Sequence, residues 1–255
     1  EVLKKTIVFV PKFRQGFKDI FERYAESTGK EKEIPEQFRP EFLKMRRSSI
    51  KLYGLSDAIV AWTSLMEDDQ CVPLNSLYGI LMASAGMFAL SLACKHAIRG
   101  GIELAGAITL EPDSVEIYGP ALNKAYELES IHAQHPRILV GEGVLKYLND
   151  IIAIPISNRA SAHNNHVAKQ CLKLITKDSD GRFIVDYLGS EILSIAPDAL
   201  PEKEILIPAR QFIWGEFERW RLAGDTKIIQ RYKHVMEYFD DRLPGMSVDN
   251  TTLAI

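Results

Sequence analysis

The residue of this chain that is best placed to do chemistry is Asp57, in the segment Tyr53-Gly-Leu-Ser-Asp-Ala-Ile-Val60. Apolar residues flank it on both sides, so the pattern predicts two short strands joined by a turn that carries one carboxylate. Turns favour aspartate because its side chain hydrogen-bonds the nearby backbone, which gives Asp57 a purely structural interpretation. The functional interpretation is an oxygen ligand for a divalent cation that accompanies nucleotide phosphates.

Three further segments follow Asp57 in order: Arg99-Gly-Gly-Ile-Glu-Leu-Ala-Gly106, Ile117-Tyr-Gly-Pro-Ala-Leu-Asn-Lys-Ala-Tyr-Glu-Leu-Glu129 and Pro136-Arg-Ile-Leu-Val140. Together with the Asp57 turn they resemble the motifs of class III nucleotide cyclase domains. In detail, these segments resemble a divergent bacterial branch that makes pyrimidine cyclic nucleotides in phage defence. A further segment resembles the same branch, namely Asp178-Ser-Asp-Gly-Arg-Phe-Ile-Val-Asp-Tyr-Leu188. The resemblance implies an α+β fold with a ferredoxin-like βαββαβ core and a mostly antiparallel sheet.

The resemblance also implies a reaction, the conversion of UTP or CTP to the 3′,5′-cyclic monophosphate and pyrophosphate, with the product as a second messenger in antiviral defence. Asp57 matches a metal-binding aspartate, and two Mg²⁺ or Mn²⁺ ions would activate the 3′-hydroxyl and neutralise the α-phosphate. Tyr53 and Glu116 match positions that read the base, and Asn123 matches the residue that orients the ribose. The family builds each site between two subunits, which implies a homodimer with two equivalent composite sites.

Two departures from the family pattern leave a second function open. The family's transition-state arginine lies four residues after the asparagine, where this chain has Glu127, so Arg99 or Lys124 would have to replace it. Residues 8–17 contain no match to the first metal-binding aspartate, whose strand we expect before the first residue of the chain. The alternative is a catalytically inactive cyclase-homology domain that serves as a nucleotide sensor or a dimerisation module. A palm-like nucleotidyltransferase would share the core but lack the asparagine motif.

Periodicity and turn residues predict the elements that must position these side chains. Residues 48–64 predict a hairpin, and an uncharged segment predicts a buried helix over 73–97. The other predicted helices cover 12–27, 120–132, 144–152, 163–176 and a long tail over 204–241, and the other predicted strands cover 101–109, 137–140 and 182–188, with a connector over 190–202. We expect a cyclase-like domain over residues 1–190 and a C-terminal helical extension over 191–255.

Composition and charge indicate which binding partners and which cellular compartment to expect. The chain has 255 residues and a net charge of −3, which argues against sequence-independent nucleic-acid binding. The uncharged helix contains proline, asparagine, serine and many small residues, so it predicts a buried helix of a soluble protein and no membrane partner. Three widely spaced cysteines, Cys71, Cys94 and Cys171, and no signal-peptide pattern favour the cytoplasm.

Two pairs of histidines and the aromatic residues and arginines of the tail predict structural roles and not metal binding or catalysis. The pairs His132-x-x-His135 and His163-x-x-His166 lack cysteines or a carboxylate cluster, so they predict surface or capping histidines and not zinc ligands. Aromatic residues of the tail, Trp214, Phe217 and Trp220, predict packing, and the arginines at 219 and 221 predict a solvated helix face.

Overall fold

The computed structural model of the chain describes residues 2–26, 35–40, 50–55, 58–67, 70–71, 74–111, 114–195 and 200–244. It is 62% helical and 12% strand, so the chain is mixed α/β with small sheets. This content is compatible with the predicted α+β class. The ferredoxin-like βαββαβ arrangement of a class III cyclase stays a prediction.

The described residues form short strands and mostly longer helices that alternate along the chain. In chain order they are α1 (Val2–Glu26), β1 (Lys51–Leu55), β2 (Ala58–Trp62), β3 (Met66–Glu67), β4 (Gln70–Cys71), α2 (Asn75–Ala93), β5 (Gly100–Ile102), α3 (Pro120–Glu127), β6 (Ile138–Val140), α4 (Glu142–Ala153), α5 (Arg159–Lys173), β7 (Ile175–Lys177), β8 (Phe183–Val185), α6 (Ser190–Ile195), α7 (Ile207–Ala223) and α8 (Thr226–Arg242). A π-helical turn, Leu128–His132, continues α3, and another, Glu202–Leu206, precedes α7.

The chain divides into two compact units that interleave along the sequence. The first unit comprises Glu1–Ala83, Leu104–Leu122 and Glu142–Lys173, and the second comprises Ser84–Glu103, Asn123–Gly141 and Leu174–Ile255. The helices predicted as a C-terminal extension therefore belong to the same unit as the four-stranded sheet described below. The domain boundary at residue 190 stays a prediction.

In the first unit, α1 packs along one apolar stripe. Phe17, Phe21 and Ala25 recur every four residues and are all buried, as a helix with one face towards a core requires. The start of α2 packs on this stripe, because a Cβ added at Gly79 would lie 2.8 Å from the Ala25 Cβ. The helix predicted over 12–27 is confirmed, and it begins earlier, at Val2.

The predicted hairpin of the first unit is confirmed as strands β1 and β2. They pair antiparallel with Lys51 opposite Trp62 and Tyr53 opposite Val60. Because side chains alternate along a strand, these four residues share one face of the hairpin, which we call the hairpin face. Gly54 lies on the opposite face, where the Arg14 guanidinium of α1 occupies the space that a Cβ would need.

The second unit contains a four-stranded sheet in the order β5-β6-β8-β7. Strands β5 and β6 are parallel, whereas β6–β8 and β8–β7 are antiparallel. Leu139 of β6 lies opposite Ile184 of β8, and both are buried with Ala133 in one apolar cluster. Leu128 and Tyr238 pack against this cluster, so the π-helical turn and α8 both cover the sheet.

Helix α2 is the one described helix that is long and apolar enough to cross a membrane. Its 18-residue window has a mean hydropathy of 1.6, but 78% of that window is buried inside the structure. A core helix of a soluble protein has this character, because protein and not lipid covers its apolar surface. The chain therefore looks like a soluble protein, and the cytoplasmic location stays a prediction.

The strand predicted over 101–109 is wrong beyond its first residues. β5 ends at Ile102, whose carbonyl accepts the last ladder bond from the Gly141 N–H at 2.8 Å. Ile108 instead pairs with Tyr118 in a single antiparallel bridge of the first unit. Residues 100–102 therefore pair with β6, whereas Ile108 pairs with Tyr118. The alternating apolar pattern over 101–109 does not distinguish these two pairings.

The helical tail predicted over 204–241 is confirmed, and it consists of two separate helices, α7 and α8. Gly224 adopts a left-handed φ of 74° and ends α7, where its N–H bonds the Arg221 and Trp220 carbonyls. The Asp225 side chain then accepts a bond of 3.1 Å from the Ile228 N–H and caps α8. The connector predicted over 190–202 contains the short helix α6.

Gly101 of β5 packs closely against α3 in the second unit. A Cβ at Gly101 would collide with the Ala125 carbonyl oxygen and would lie 2.6 Å from the Leu128 Cβ. These are backbone and near-backbone atoms, so they cannot move aside cheaply. At the neighbouring Gly100 the nearest atom to an added Cβ is Ile138 Cγ1 at 3.4 Å, an ordinary contact.

We therefore expect Gly101→Ala to lower the free energy of unfolding by about 1–3 kcal/mol, the usual cost of overpacking. Gly100→Ala adds the same methyl group to the same strand and is the matched control, for which we expect little change. Urea unfolding followed by circular dichroism measures both. Equal losses in the two variants would show that β5 does not pack closely on α3.

Candidate functional site

The hairpin face docks on the segment 114–118, and both belong to the first unit. The Lys51 ammonium donates a hydrogen bond of 3.1 Å to the Ser114 carbonyl, and the Trp62 indole N–H donates one of 2.7 Å to the Val115 carbonyl. Lys51 also lies 5.2 Å from the centre of the Trp62 ring, a cation–π distance. Two distant parts of the sequence are thereby held side by side.

This docking brings together the two side chains predicted to read the base. Tyr53 projects from the centre of the hairpin face, and Glu116 lies in the segment on which that face docks. Between them the Tyr118 hydroxyl donates a hydrogen bond of 2.7 Å to Glu116 Oε2. This bond and the charge of Glu116 raise the pKa of Tyr118, and Tyr53 also acts on it electrostatically.

Tyr118 is a residue that the sequence reasoning missed. It lies two residues after Glu116 in extended chain, so the two side chains project to the same side. The spacing of two residues between Glu116 and Tyr118 places their side chains on the same side only if the segment is extended. The sequence alone did not show that this segment is extended and not helical. With Tyr118 the surface offers a phenol, a carboxylate and a second phenol, which are donors and acceptors suited to the edge of a base.

Arg14 covers the side of the hairpin that is opposite to the hairpin face. Its half-buried guanidinium lies over Gly54, and its Nε is buried without a hydrogen-bond partner among the described residues. Helix α1 therefore covers the face opposite to Tyr53. The hairpin face is the side that remains for a ligand or for the 114–118 segment.

Asp57, the predicted metal ligand, lies between β1 and β2 and outside the described residues. Among the residues that the structure does describe, no group of three or more His, Cys, Asp or Glu side chains is arranged to hold a metal ion. Glu116 is the described carboxylate of this surface, and it is engaged by Tyr118. The metal ions therefore stay a prediction that depends on Asp57.

The remaining predicted site residues, Asn123 and Arg99, belong to the second unit. Asn123 is exposed on α3. Arg99 is engaged: its Nη2 lies 2.9 Å from the Glu129 carboxylate, and its Nη1 donates to the Ala133 carbonyl at 3.3 Å. Arg99 thus fastens the start of β5 to the turn after α3. Glu127, at the family's arginine position, is exposed near His132.

A buried ionic cluster lies at the edge of the sheet in the second unit. Arg137 is 3% exposed, and it donates to Asp178 Oδ2 at 2.6 Å, to Asp180 Oδ2 at 2.7 Å and to the His132 carbonyl at 3.0 Å. His135 lies 3.1 Å from the same Asp178 oxygen. Burial alone would raise the pKa of Asp178, but the hydrogen bonds from His135 and Arg137 hold it well below its usual range.

His135 corrects the prediction of a surface or capping histidine. It is 7% exposed, and its ring stacks on His234 with centroids 4.9 Å apart. Burial lowers the pKa of His135, and it outweighs the hydrogen bond to Asp178 that would raise it. His163 likewise has a specific partner, because its Nε2 lies 2.9 Å from Asn75 Oδ1.

A second buried carboxylate, Asp186, holds α8 against the sheet. Its Oδ1 accepts from the Tyr238 hydroxyl at 2.5 Å and from Arg242 Nε at 2.9 Å. The Tyr238 oxygen in turn accepts from the Leu188 N–H at 3.2 Å. Burial and the Asp186 charge raise the pKa of Tyr238 well above its ordinary value, so the phenol stays a donor.

Comparison of the chain with protein-family models, with curated proteins and with solved structures finds no match. The functional argument therefore rests on the residues and their geometry.

The Asp178 cluster predicts acid sensitivity. His135 has a lowered pKa in the folded chain, so its contribution is complete above the unfolded value of 6.5 and is lost as the pH falls below it. Asp178, whose pKa is also lowered, adds a second loss below its unfolded value of 3.8. We expect the free energy of unfolding to fall between about pH 7 and 5, by at most about 1.4 kcal/mol per pH unit for the one histidine.

Urea unfolding across this pH range measures the slope, and His135→Gln should flatten it. His166→Gln removes an exposed histidine and is the control, for which the slope should persist. An unchanged slope in His135→Gln would contradict the role of this imidazole.

Proposed function

We propose that this protein is a nucleotidyl cyclase that converts UTP or CTP to the 3′,5′-cyclic monophosphate and pyrophosphate. The resemblance of its segments to class III cyclases supplies the reaction. The observation that carries the proposal is the docking of the hairpin face on residues 114–118, because it brings Tyr53 and Glu116 to one surface.

The proposed roles follow from the chemistry of each side chain. The Tyr53 phenol can donate to or accept from a base edge, and the Glu116 carboxylate can accept from an exocyclic amine or an imide N–H. Tyr118 is a positioning residue, because it fixes the carboxylate rotamer through a bond of 2.7 Å. Asn123 is proposed to orient the ribose. Mg²⁺ or Mn²⁺, held through Asp57, would supply charge neutralisation at the phosphates.

The proposal includes a homodimer with composite sites, as in the family that the chain resembles. Three large apolar side chains of residues 104–122 are exposed, with Ile108 at 66%, Leu110 at 74% and Val115 at 45%. Exposed apolar side chains close together in sequence favour an interface over a solvated loop. They flank Glu116, so a partner bound there would contact the proposed substrate surface.

One observation favours the alternative, an inactive cyclase-homology domain that binds a nucleotide as a sensor. No arginine occurs on the hairpin face or at 114–118, and Arg99 is already paired with Glu129 at 2.9 Å. Lys51, the lysine of the hairpin face, donates to the Ser114 carbonyl at 3.1 Å. Stabilising the transition state would therefore require a further arginine or lysine, such as one from the partner subunit. A sensor needs the base-reading residues but not that cation.

The deciding experiment incubates the full chain with each of the four nucleoside triphosphates and Mn²⁺, and detects cyclic product and pyrophosphate by mass spectrometry. We expect product from UTP or CTP, and loss of product in Asp57→Ala. Asp150→Ala removes an exposed aspartate of α4 and should retain activity. Light scattering on the same sample should show a dimer.

Absence of product from all four triphosphates in a folded sample would refute the cyclase. In that case calorimetric titration with the same nucleotides decides the alternative. Binding without turnover supports the sensor, and no binding excludes both functions.

Glu116 and Tyr118 should set base selectivity. We expect Glu116→Gln to lower kcat/KM for the preferred pyrimidine by about 10- to 100-fold, the usual effect of one lost specific hydrogen bond to a charged group. Tyr118→Phe should cause a smaller loss, mainly in KM, because the carboxylate remains but is less well oriented. Steady-state assays with UTP and CTP measure both variants.

Tyr126→Phe changes an exposed tyrosine of α3 in the same way and is the matched control. Equal kinetics for Glu116→Gln and the unchanged protein, with both bases, would remove Glu116 from the proposed site.

A further inference from the structure

A cleft in the second unit lies outside the hairpin face and the 114–118 segment. It is formed by α7, α8 and two loops, around residues 97–99 and 134–136, and its volume is about 280 Å³. Trp220 and Tyr232 form part of its wall, and Ile228 and Pro136 add apolar surface. The volume lies just below the range of about 300–1,000 Å³ that accepts drug-sized ligands, so the cleft suits a small molecule.

The charge of the lining is predominantly positive. Three arginines, Arg99, Arg219 and Arg231, line the cleft against one carboxylate, Glu216. Arg99 is paired with Glu129, which lies outside the lining, at 2.9 Å. Arg219 is paired with Glu216 at 3.0 Å. Arg231 is half-buried and has no ion pair or hydrogen bond with any residue that the structure describes. An arginine held in a cleft without a carboxylate is available to an anion.

The one carboxylate is largely used by the wall itself. Glu216 Oε2 accepts a bond of 3.0 Å from the Trp220 indole N–H, while its Oε1 lies beside Arg219. Arg219 in turn lies over the Trp220 ring, 4.5 Å from its centre. These contacts hold Arg219 beside the Trp220 ring, and its side chain is 61% exposed, as the predicted solvated helix face requires.

Tyr232 lies close to two of the arginines that line the cleft, Arg219 and Arg231. Burial and Glu216 raise its pKa to about 12, while Arg219 and Arg231 both act to lower it. Both guanidinium groups therefore lie within electrostatic reach of the same phenol. That phenol stays protonated near neutral pH, and its hydrogen bond to Glu216 is one of the causes of the raised pKa. His135, also in the lining, is kept neutral by burial and adds no charge.

We propose that this cleft binds a phosphomonoester carried on a small organic group, with a nucleoside monophosphate as the representative ligand. The unpaired guanidinium fork of Arg231 matches the oxygens of a phosphate. The aromatic and aliphatic wall, together with a volume larger than one phosphate needs, provides for the organic group. Of the predicted cyclase residues only Arg99 lines the cleft, and it is paired with Glu129 at 2.9 Å. The proposal rests on Arg231 and does not depend on the cyclase function.

Calorimetric titration of the full chain at low ionic strength tests the proposal with UMP, AMP, orthophosphate and uridine as separate probes. We expect the monophosphates to bind, orthophosphate to bind more weakly and uridine to show no binding that Arg231→Gln weakens. Arg231→Gln should weaken monophosphate binding at least tenfold, whereas Arg231→Lys, which retains the charge, should weaken it less. Glu116→Gln, in the proposed cyclase site, should leave this binding unchanged.

Lys233→Gln is the matched control, because it removes one positive charge from the exposed side of the same helix. No binding of any phosphate at millimolar concentration would overturn the proposal, as would equal losses in Arg231→Gln and Lys233→Gln. Orthophosphate that binds as tightly as UMP would overturn the part played by the organic group. Circular dichroism confirms that each variant is folded, and Arg231→Lys keeps the test valid if Arg231→Gln is not.

Discussion

The second unit depends on the neutralisation of one buried charge, that of Arg137. A guanidinium that is 3% exposed has lost its water, so its charge must be met by the protein. Asp178, Asp180 and the His132 carbonyl meet it from two different parts of the chain. Because Arg137 immediately precedes β6 and both aspartates lie in the turn between β7 and β8, the cluster requires those strands to lie side by side. The same requirement sets Leu139 opposite Ile184, and the apolar cluster forms around that pair.

The helices of the tail are built onto this sheet through further polar contacts. Asp186 follows β8 and holds Tyr238 and Arg242 of α8, and the short break at Gly224 returns the chain so that α7 lies beside α8. The cleft with Arg231 is bounded by these two helices and by the loop that carries His135. Arg231 is therefore positioned by a hydrogen-bonded framework and not by contacts of its own. That arrangement lets Arg231 remain unpaired among the described residues, because the fold does not need it.

What the sequence predicted correctly is local. The hairpin around Asp57, helix α2, the helix after Pro120 and the turn at Asp178 all follow from periodicity and turn residues within a few positions. The strand over 101–109 was predicted too long because its alternating pattern serves two different partners. For the candidate site, Tyr53 and Glu116 were found through their place in motifs, whereas Tyr118 was not. Its role depends on an extended segment, and that segment is defined only by docking on the hairpin face.

Residues 178–188 resemble a cyclase motif, but the structure gives the aspartates of this motif structural roles. Its aspartates contributed to the likeness to a cyclase family, yet each has a structural partner: Asp178 and Asp180 neutralise Arg137, and Asp186 anchors α8. Tyr187 is fully packed between Phe88 and Tyr238. These residues would be needed for folding in an active enzyme and in an inactive one alike, so they do not bear on turnover. The surface around Tyr118 is different, because its bond to Glu116 and its electrostatic contact with Tyr53 lie on exposed chain and not in the core. The case for a nucleotide site rests on that surface.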